Sequence, residues 1–272
     1  MIDSHQHFWR YTTEEFGWIS DDMSALRRTF LTDDLLEAAG DTPIRQFIAV
    51  QARQTVDETS FLLDLADAKE EIVGVVGWLD LCDRDVEDRL LGRHTKLVGL
   101  RHILQSEPDD EFMLRPAFQN GLRALTRFEL TYDILIYPRH LNVAGRLISA
   151  HERQNFVLDH GAKPDIKGGD LDPWRKDMRE LAKRHNVWCK ISGLVTEADW
   201  ESWTPRTLRP YLDEIVDCFS PERVMFGSDW PVCTVAGSYK AVFEAVSEWA
   251  VQFSPHERAD IFGGAARAAY RL

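Results

Sequence analysis

Eight short runs rich in β-branched and aromatic residues recur along this chain, separated by polar segments that carry apolar residues at three- and four-residue steps. The runs are Ile2–His5, Ile44–Gln51, Ile72–Leu79, Lys96–Ile103, Thr131–Tyr137, Asn155–His160, Val187–Ser192 and Arg223–Ser228. Helices are expected between them at Thr32–Ala39, Asp57–Lys69, Arg115–Arg127, Val143–Glu152, Trp174–His185, Leu208–Phe219 and Tyr239–Gln252. Phe61, Leu62, Leu65 and Ala66 show the spacing that gives a helix one apolar face. Strands joined through helices run parallel, because only a crossover returns the chain to the same end of the sheet. Eight such units predict a closed α/β barrel of the (β/α)8 type, which takes about 250 residues as one domain. A single barrel over residues 1–272 is therefore expected. An open doubly wound sheet has no support, since neither a Gly-x-Gly-x-x-Gly nor a P-loop pattern occurs and Gly161 to Gly169 has the wrong spacing.

Composition narrows the function classes. Asp and Glu number 45 against 32 Lys and Arg, a net charge of −13. That average field repels polyanions, so neither nucleic acid nor an anionic membrane surface is an expected partner. The longest apolar stretch, Ile72 to Leu79, is far short of the ~20 residues that span a bilayer. The N-terminus lacks the basic and apolar parts of a signal peptide, which predicts a cytoplasmic protein. Cys82, Cys189, Cys218 and Cys233 have no Cys-x-x-Cys spacing and read as reduced core residues. Oligomeric state has no signal, because the apolar helices that cover a barrel mask any interface.

Polar residues cluster at the carboxyl ends of the runs, the face where barrel active sites are built. Run one ends in Asp3-Ser4-His5-Gln6-His7, run two in Gln51, and run three in Trp78 with Asp80 beyond. Run four ends in Arg101-His102, run five in Tyr137, run six in Asp159-His160, and run eight in Ser228-Asp229-Trp230-Pro231. His5 and His7, two apart, share one face of a strand and make either two metal ligands or a pair of hydrogen-bond donors. Asp229 after an apolar run is costly to bury unless paired or in use. Arg101 and His102 adjoin, so only one of them can face the barrel interior. Lys163 reads as a solvated lysine.

His5-Gln6-His7, Asp159-His160-Gly161 and Gly227-Ser228-Asp229-Trp230-Pro231, in that order, resemble the amidohydrolase superfamily and its amidohydrolase-2 branch. Gly99-Leu100-Arg101-His102 and Val50-Gln51-Ala52 are similar to that branch too, and the resemblance runs from residue 1 to about residue 267. It implies a lactonase acting on a sugar-acid lactone such as L-fuconolactone. Binuclear members of the superfamily take a Lys or His from strand five, where this chain has Tyr137, with His140 three residues further on. The resemblance therefore implies metal-independent chemistry with no required cofactor. His5, His7 and Asp229 would hold at most one adventitious divalent ion, zinc by donor type.

Lactone hydrolysis passes through a tetrahedral oxyanion, so it needs a base for water, donors for the carbonyl oxygen and a proton for the leaving ring oxygen. Asp229 is the expected base, with His5, His7 and His160 as donors or holders of the water. Gln51, Arg101, His102, Trp9, Trp78, Tyr137 and Trp230 are the expected substrate contacts, and Trp200 also lies near the predicted mouth. Flat indole faces against C–H faces of a sugar make a carbohydrate pocket, whereas Trp188, Trp203 and Trp249 read as core. No arginine cluster suits a di- or tricarboxylate, which favours a neutral polyhydroxylated substrate over a muconolactone or pyrone dicarboxylate. Two rival readings remain: a metal-dependent decarboxylase of an aromatic or muconic acid, and a barrel that binds sugar without turning it over.

Overall fold

Each expected run coincides with one strand, and every strand but β1, which runs one residue further, is shorter than its run. The computed structural model, which describes residues 1–272, places β1 at Ile2–Gln6, β2 at Gln46–Val50, β3 at Ile72–Gly77 and β4 at Leu97–His102. It places β5 at Thr131–Ile134, β6 at Phe156–Leu158, β7 at Val187–Lys190 and β8 at Val224–Met225. All neighbours pair in parallel, in chain order from β1 to β8. The segment after β8 then closes the barrel onto β1. Ser4 N donates to Phe226 O at 3.0 Å, Asp229 N to His5 O at 2.8 Å and His7 N to Trp230 O at 2.7 Å.

The seven expected helices are present as α1 (Thr32–Ala39), α2 (Val56–Ala68), α4 (Pro116–Arg127), α5 (Leu141–Ala150), α6 (Trp174–Ala182), α7 (Pro205–Phe219) and α8 (Tyr239–Trp249). Their starts follow local chemistry. The Thr55 hydroxyl accepts from Glu58 N at the head of α2, and Ser238 does the same for Ala241 N before α8. Pro116 and Pro205 occupy first turns, where no N–H partner is lost. Three short helices were not expected: α3 (Val86–Leu90), α9 (Pro255–Ala259) and α10 (Ala265–Tyr270). Five or six residues are too few to show a 3.6-residue period. No helix is long and apolar enough to cross a membrane.

Two cores result. The larger lies between the strands and the surrounding helices. The smaller fills the barrel floor, where Ile2, Ile48, Val50, Val76, Val157 and Met225 meet Ala265, Ala266, Ala269 and Tyr270 of α10. α10 therefore plugs the end of the barrel opposite the strands' carboxyl ends. It is tied there by Thr131 Oγ1 and Asn155 Nδ2, which both donate to Ala269 O, at 2.6 and 3.0 Å.

Candidate active site

Strand β1 supplies two of the site's imidazoles, and an irregularity makes this possible. Ile2 faces the barrel floor, so strict alternation would turn His5, three residues on, outward. The β1–β2 register shifts between Asp3 and Gln6, and both His5 and His7 turn toward the axis. The shift is held by Asp3, whose Oδ1 accepts from His5 N at 3.0 Å and from Ser228 N at 2.9 Å. Burial pushes the Asp3 carboxyl up to about 6.

His160 and Asp229 reach the same point from turns beyond β6 and β8. Both hold left-handed backbone, at φ 55° and 58°, a conformation that costs a non-glycine residue about 1–3 kcal/mol and clusters at functional sites. His5 Nε2 and His7 Nε2 lie 3.2 Å apart. Asp229 Oδ1 is 3.7 Å from the first and 3.4 Å from the second. His160, His5 and Asp229 bring ligand-type atoms within 4.8 Å of one another. The tautomers follow from the hydrogen-bond network. His7 Nδ1 donates to Val50 O at 2.7 Å, so in the neutral ring Nε2 is an acceptor. Arg101 Nη1 points at His5 Nε2 from 3.3 Å, so that nitrogen is an acceptor as well. His160 Nδ1 is hydrogen-bonded to Ser192 Oγ at 2.9 Å.

Burial pushes His160 down to about 4 and His5 well below the ordinary imidazole range, so both are neutral at pH 7. Burial also pushes Asp229 up, but the imidazoles of His160, His7 and His5 outweigh it and hold the carboxyl below the usual carboxylate range. The Nε2 atoms of His5 and His7 and the Asp229 carboxylate thus converge on one point. That donor set fits a divalent cation, and the backbone and hydroxyl partners on the far nitrogens of His7 and His160 fit it too, since metal-binding imidazoles usually carry such a partner.

Beneath this group lies a buried ion network that sequence analysis missed. Lys190 of β7, fully buried, sits 2.5 Å from Asp133 Oδ2 and 3.0 Å from Asp159 Oδ1. Asp159 also pairs with Arg101 Nη1 at 2.8 Å and lies 3.4 Å from His5 Nδ1. Tyr270 of α10 donates to Asp133 Oδ2 at 2.7 Å. Burial pushes Asp159 up, and Lys190, His5 and Arg101 pull it well below its ordinary range, so it stays ionised and orients its neighbours.

A cleft of about 310 Å³ opens above, lined among others by His7, Arg101, His160 and Asp229. Arg101 is thus the member of its pair that faces the interior. His102 turns away to Glu107, 2.7 Å from its Nε2, and stacks on Phe112. Several expected substrate contacts stand outside the cleft wall. Gln51 is buried and donates to Arg101 O. Trp9 donates to Arg28 O and packs on Phe16 and Phe30, while Trp230 packs between Phe8 and Phe30. The Trp78 indole N–H is directed at His102 Nδ1. Tyr137 stacks on His140, because β5 ends at Ile134 and it is Leu135 that lines the cleft. The aromatic wall is made instead by Trp18 and Trp200, with Met23. Trp18 belongs to the loop after β1, which showed no motif. Lys163, read as solvated, lines the cleft 3.6 Å from Glu197.

The amidohydrolase family model matches residues 2–272. An L-fucono-1,5-lactonase of Burkholderia multivorans is 42% identical, over 100% of this chain and 96% of its own length. An L-fucono-1,5-lactonase of Burkholderia ambifaria is 35% identical, over 100% and 95%. The crystal structure of an amidohydrolase from Burkholderia multivorans with bound zinc superposes with a TM-score of 0.97, at 42% identity over 100% of this chain and 99% of that one. Zinc in so similar a protein contradicts the expectation of metal-independent chemistry, which rested on the missing strand-five ligand and on the family resemblance, and agrees with the one zinc that the sequence allowed. The shape, the order of the motifs and matches over the full length agree: the chain belongs to the amidohydrolase family.

Proposed function

We propose that this chain, working as one domain over residues 1–272, hydrolyses a sugar-acid lactone, L-fucono-1,5-lactone or a close aldonolactone, to the open aldonic acid. It is on this reading a carboxylic ester hydrolase. The observation that carries the proposal is Asp229, an ionised carboxylate at the base of the cleft between His7 and His160, with Arg101 in the same wall. A volume of about 310 Å³ suits one sugar ring, and lactonases align along the whole chain.

Asp229 accepts a proton from water as the water oxygen adds to the lactone carbonyl. Arg101 faces the oxygen on which negative charge develops, and His160 is a second donor there when its Nδ1 accepts the Ser192 hydroxyl. As the intermediate collapses, the ring C–O bond breaks and the proton held by Asp229 passes to the leaving alkoxide, so acid and base are the same group in turn. Losing one oxyanion donor costs about 3 kcal/mol of barrier, or two decades in rate. Zinc held by His5, His7, His160 and Asp229 would supply positive charge that polarises a carbonyl and makes water more acidic. An ester is far easier to cleave than an amide, which fits a site with a single base and no separate acid.

The test is lactone hydrolysis by the purified protein, followed by proton release across a panel of aldonolactones. Turnover of L-fuconolactone or a stereoisomer well above the spontaneous rate is expected. Absence of turnover on every lactone would overturn the reading.

A further inference from the structure

The cleft holds two cationic side chains, and neither is free. Arg101 is paired with Asp159 at 2.8 Å. Lys163 Nζ lies 3.6 Å from Glu197 Oε1, and both residues line the cleft. Their side chains are 18% and 23% exposed, so the pair is reachable from the cleft without being washed by bulk water. It is built onto the turns that carry the chemistry. Lys163 ends the turn after β6 with its N–H donating to His160 O at 2.8 Å, and its φ of 54° fixes its direction. Glu197 closes the short turn Leu194–Glu197 that begins beside Gly193, against which His160 and Asp229 pack.

This arrangement discriminates by charge. A substrate carboxylate entering here would meet Glu197 and Asp229 and would find each cation already matched by a carboxylate. A neutral ring bearing two hydroxyls meets a donor in Lys163 and an acceptor in Glu197 side by side. Resting on the lactonase reading above, we infer that Glu197 is a specificity-determining residue: by pairing Lys163 it restricts the cleft to lactones that carry no carboxylate, and the pair together receives ring hydroxyls.

The experiment measures affinity, by calorimetry, for two lactams that resist hydrolysis, a neutral aldonolactam and one bearing a free carboxylate. It is run on the wild-type protein, Glu197→Gln, Lys163→Met and the double variant. The neutral lactam should bind the wild type more tightly. Glu197→Gln should raise the ratio of carboxylate-bearing to neutral affinity about tenfold, as an unmatched ammonium gains a charge-assisted partner. Lys163→Met should lower the ratio, and in its background Glu197→Gln should no longer raise it. A ratio that Glu197→Gln leaves within about twofold, an equal rise without Lys163, or no binding of the neutral lactam would each overturn the inference. Lactone turnover by the wild type, followed in parallel, reads the lactonase proposal separately: its absence sinks that reading, while the affinity ratio still decides the role of Glu197.

Discussion

Asp229 is the residue on which the proposed chemistry turns, and its surroundings say how to test it. It is buried, ionised and faces the Nε2 atoms of His5 and His7 at 3.7 and 3.4 Å. Asp229→Asn keeps the shape and removes the base, so kcat should fall by about 10²–10⁴-fold while the melting temperature of the chelated protein does not fall. Activity above roughly a tenth of wild type would move the base elsewhere. Gly193 offers a second test at this scale. A Cβ there would stand 2.5 Å from His160 Nδ1 and 3.1 Å from Asp229 Oδ2, at φ +66°. Gly193→Ala should cut kcat about tenfold or more, by displacing an imidazole from a geometry that tolerates little error. Gly92→Ala is the control, because φ is +70° there but nothing lies within 4 Å. It should cost about 1 kcal/mol of stability and leave turnover alone. Equal loss of activity in both variants would show that backbone strain, and not contact with His160, is responsible. Among single residues, His5, His7, His160, Asp229 and Arg101 were legible because they end apolar runs, where a barrel places its chemistry. Lys190 was not, since its burial becomes visible only when Asp133 and Asp159 arrive from β5 and β6.

Elements were easier to read than their ends. Seven helices long enough to show a period were found, and the strands were located but, β1 apart, overextended at the side of the cleft. There the chain leaves the sheet early, as Ile134 to Leu135 and Met225 to Phe226 show, and side chains such as Asp3 take over the pairing. The indoles of Trp9 and Trp230 were misplaced for the same reason: a large aromatic beside a strand end closes the core under the loop as readily as it lines a mouth. The last helix, α10, carried no periodic signal, yet it floors the barrel and reaches the ion network through Tyr270. Tyr270→Phe keeps the apolar plug and removes one hydrogen bond to the buried Asp133, at an expected cost of about 1–3 kcal/mol. At roughly 2–4 °C per kcal/mol for a large domain, a thermal scan resolves that loss. An unchanged melting temperature would show that Lys190 alone satisfies Asp133.

At the scale of the whole molecule, the separation of floor from mouth lets the barrel hold a costly site. The floor is closed by apolar packing and hydrogen-bonded ties, while the mouth carries converging acceptors that repel one another unless something positive lies between them. That repulsion is a stability cost, and a ligand that binds only the folded barrel should recover it. Zinc is the ligand suggested by the donor set and by the similar zinc-bound amidohydrolase. The net charge of −13 raises the local concentration of cations and works in the same direction. Exhaustive chelation should therefore lower the melting temperature, and one equivalent of zinc should restore it. Free zinc at a thousand times its dissociation constant would contribute about 4 kcal/mol. His7→Ala removes a ligand from the cluster and should abolish most of the zinc-dependent shift. Metal analysis should find about one zinc per chain in the restored wild type and much less in the variant. A melting temperature indifferent to zinc, with His7→Ala no different from wild type in metal content, would mean that protons and not a metal ion relieve the repulsion. Asp229 and Arg101 would then carry the hydrolysis unaided.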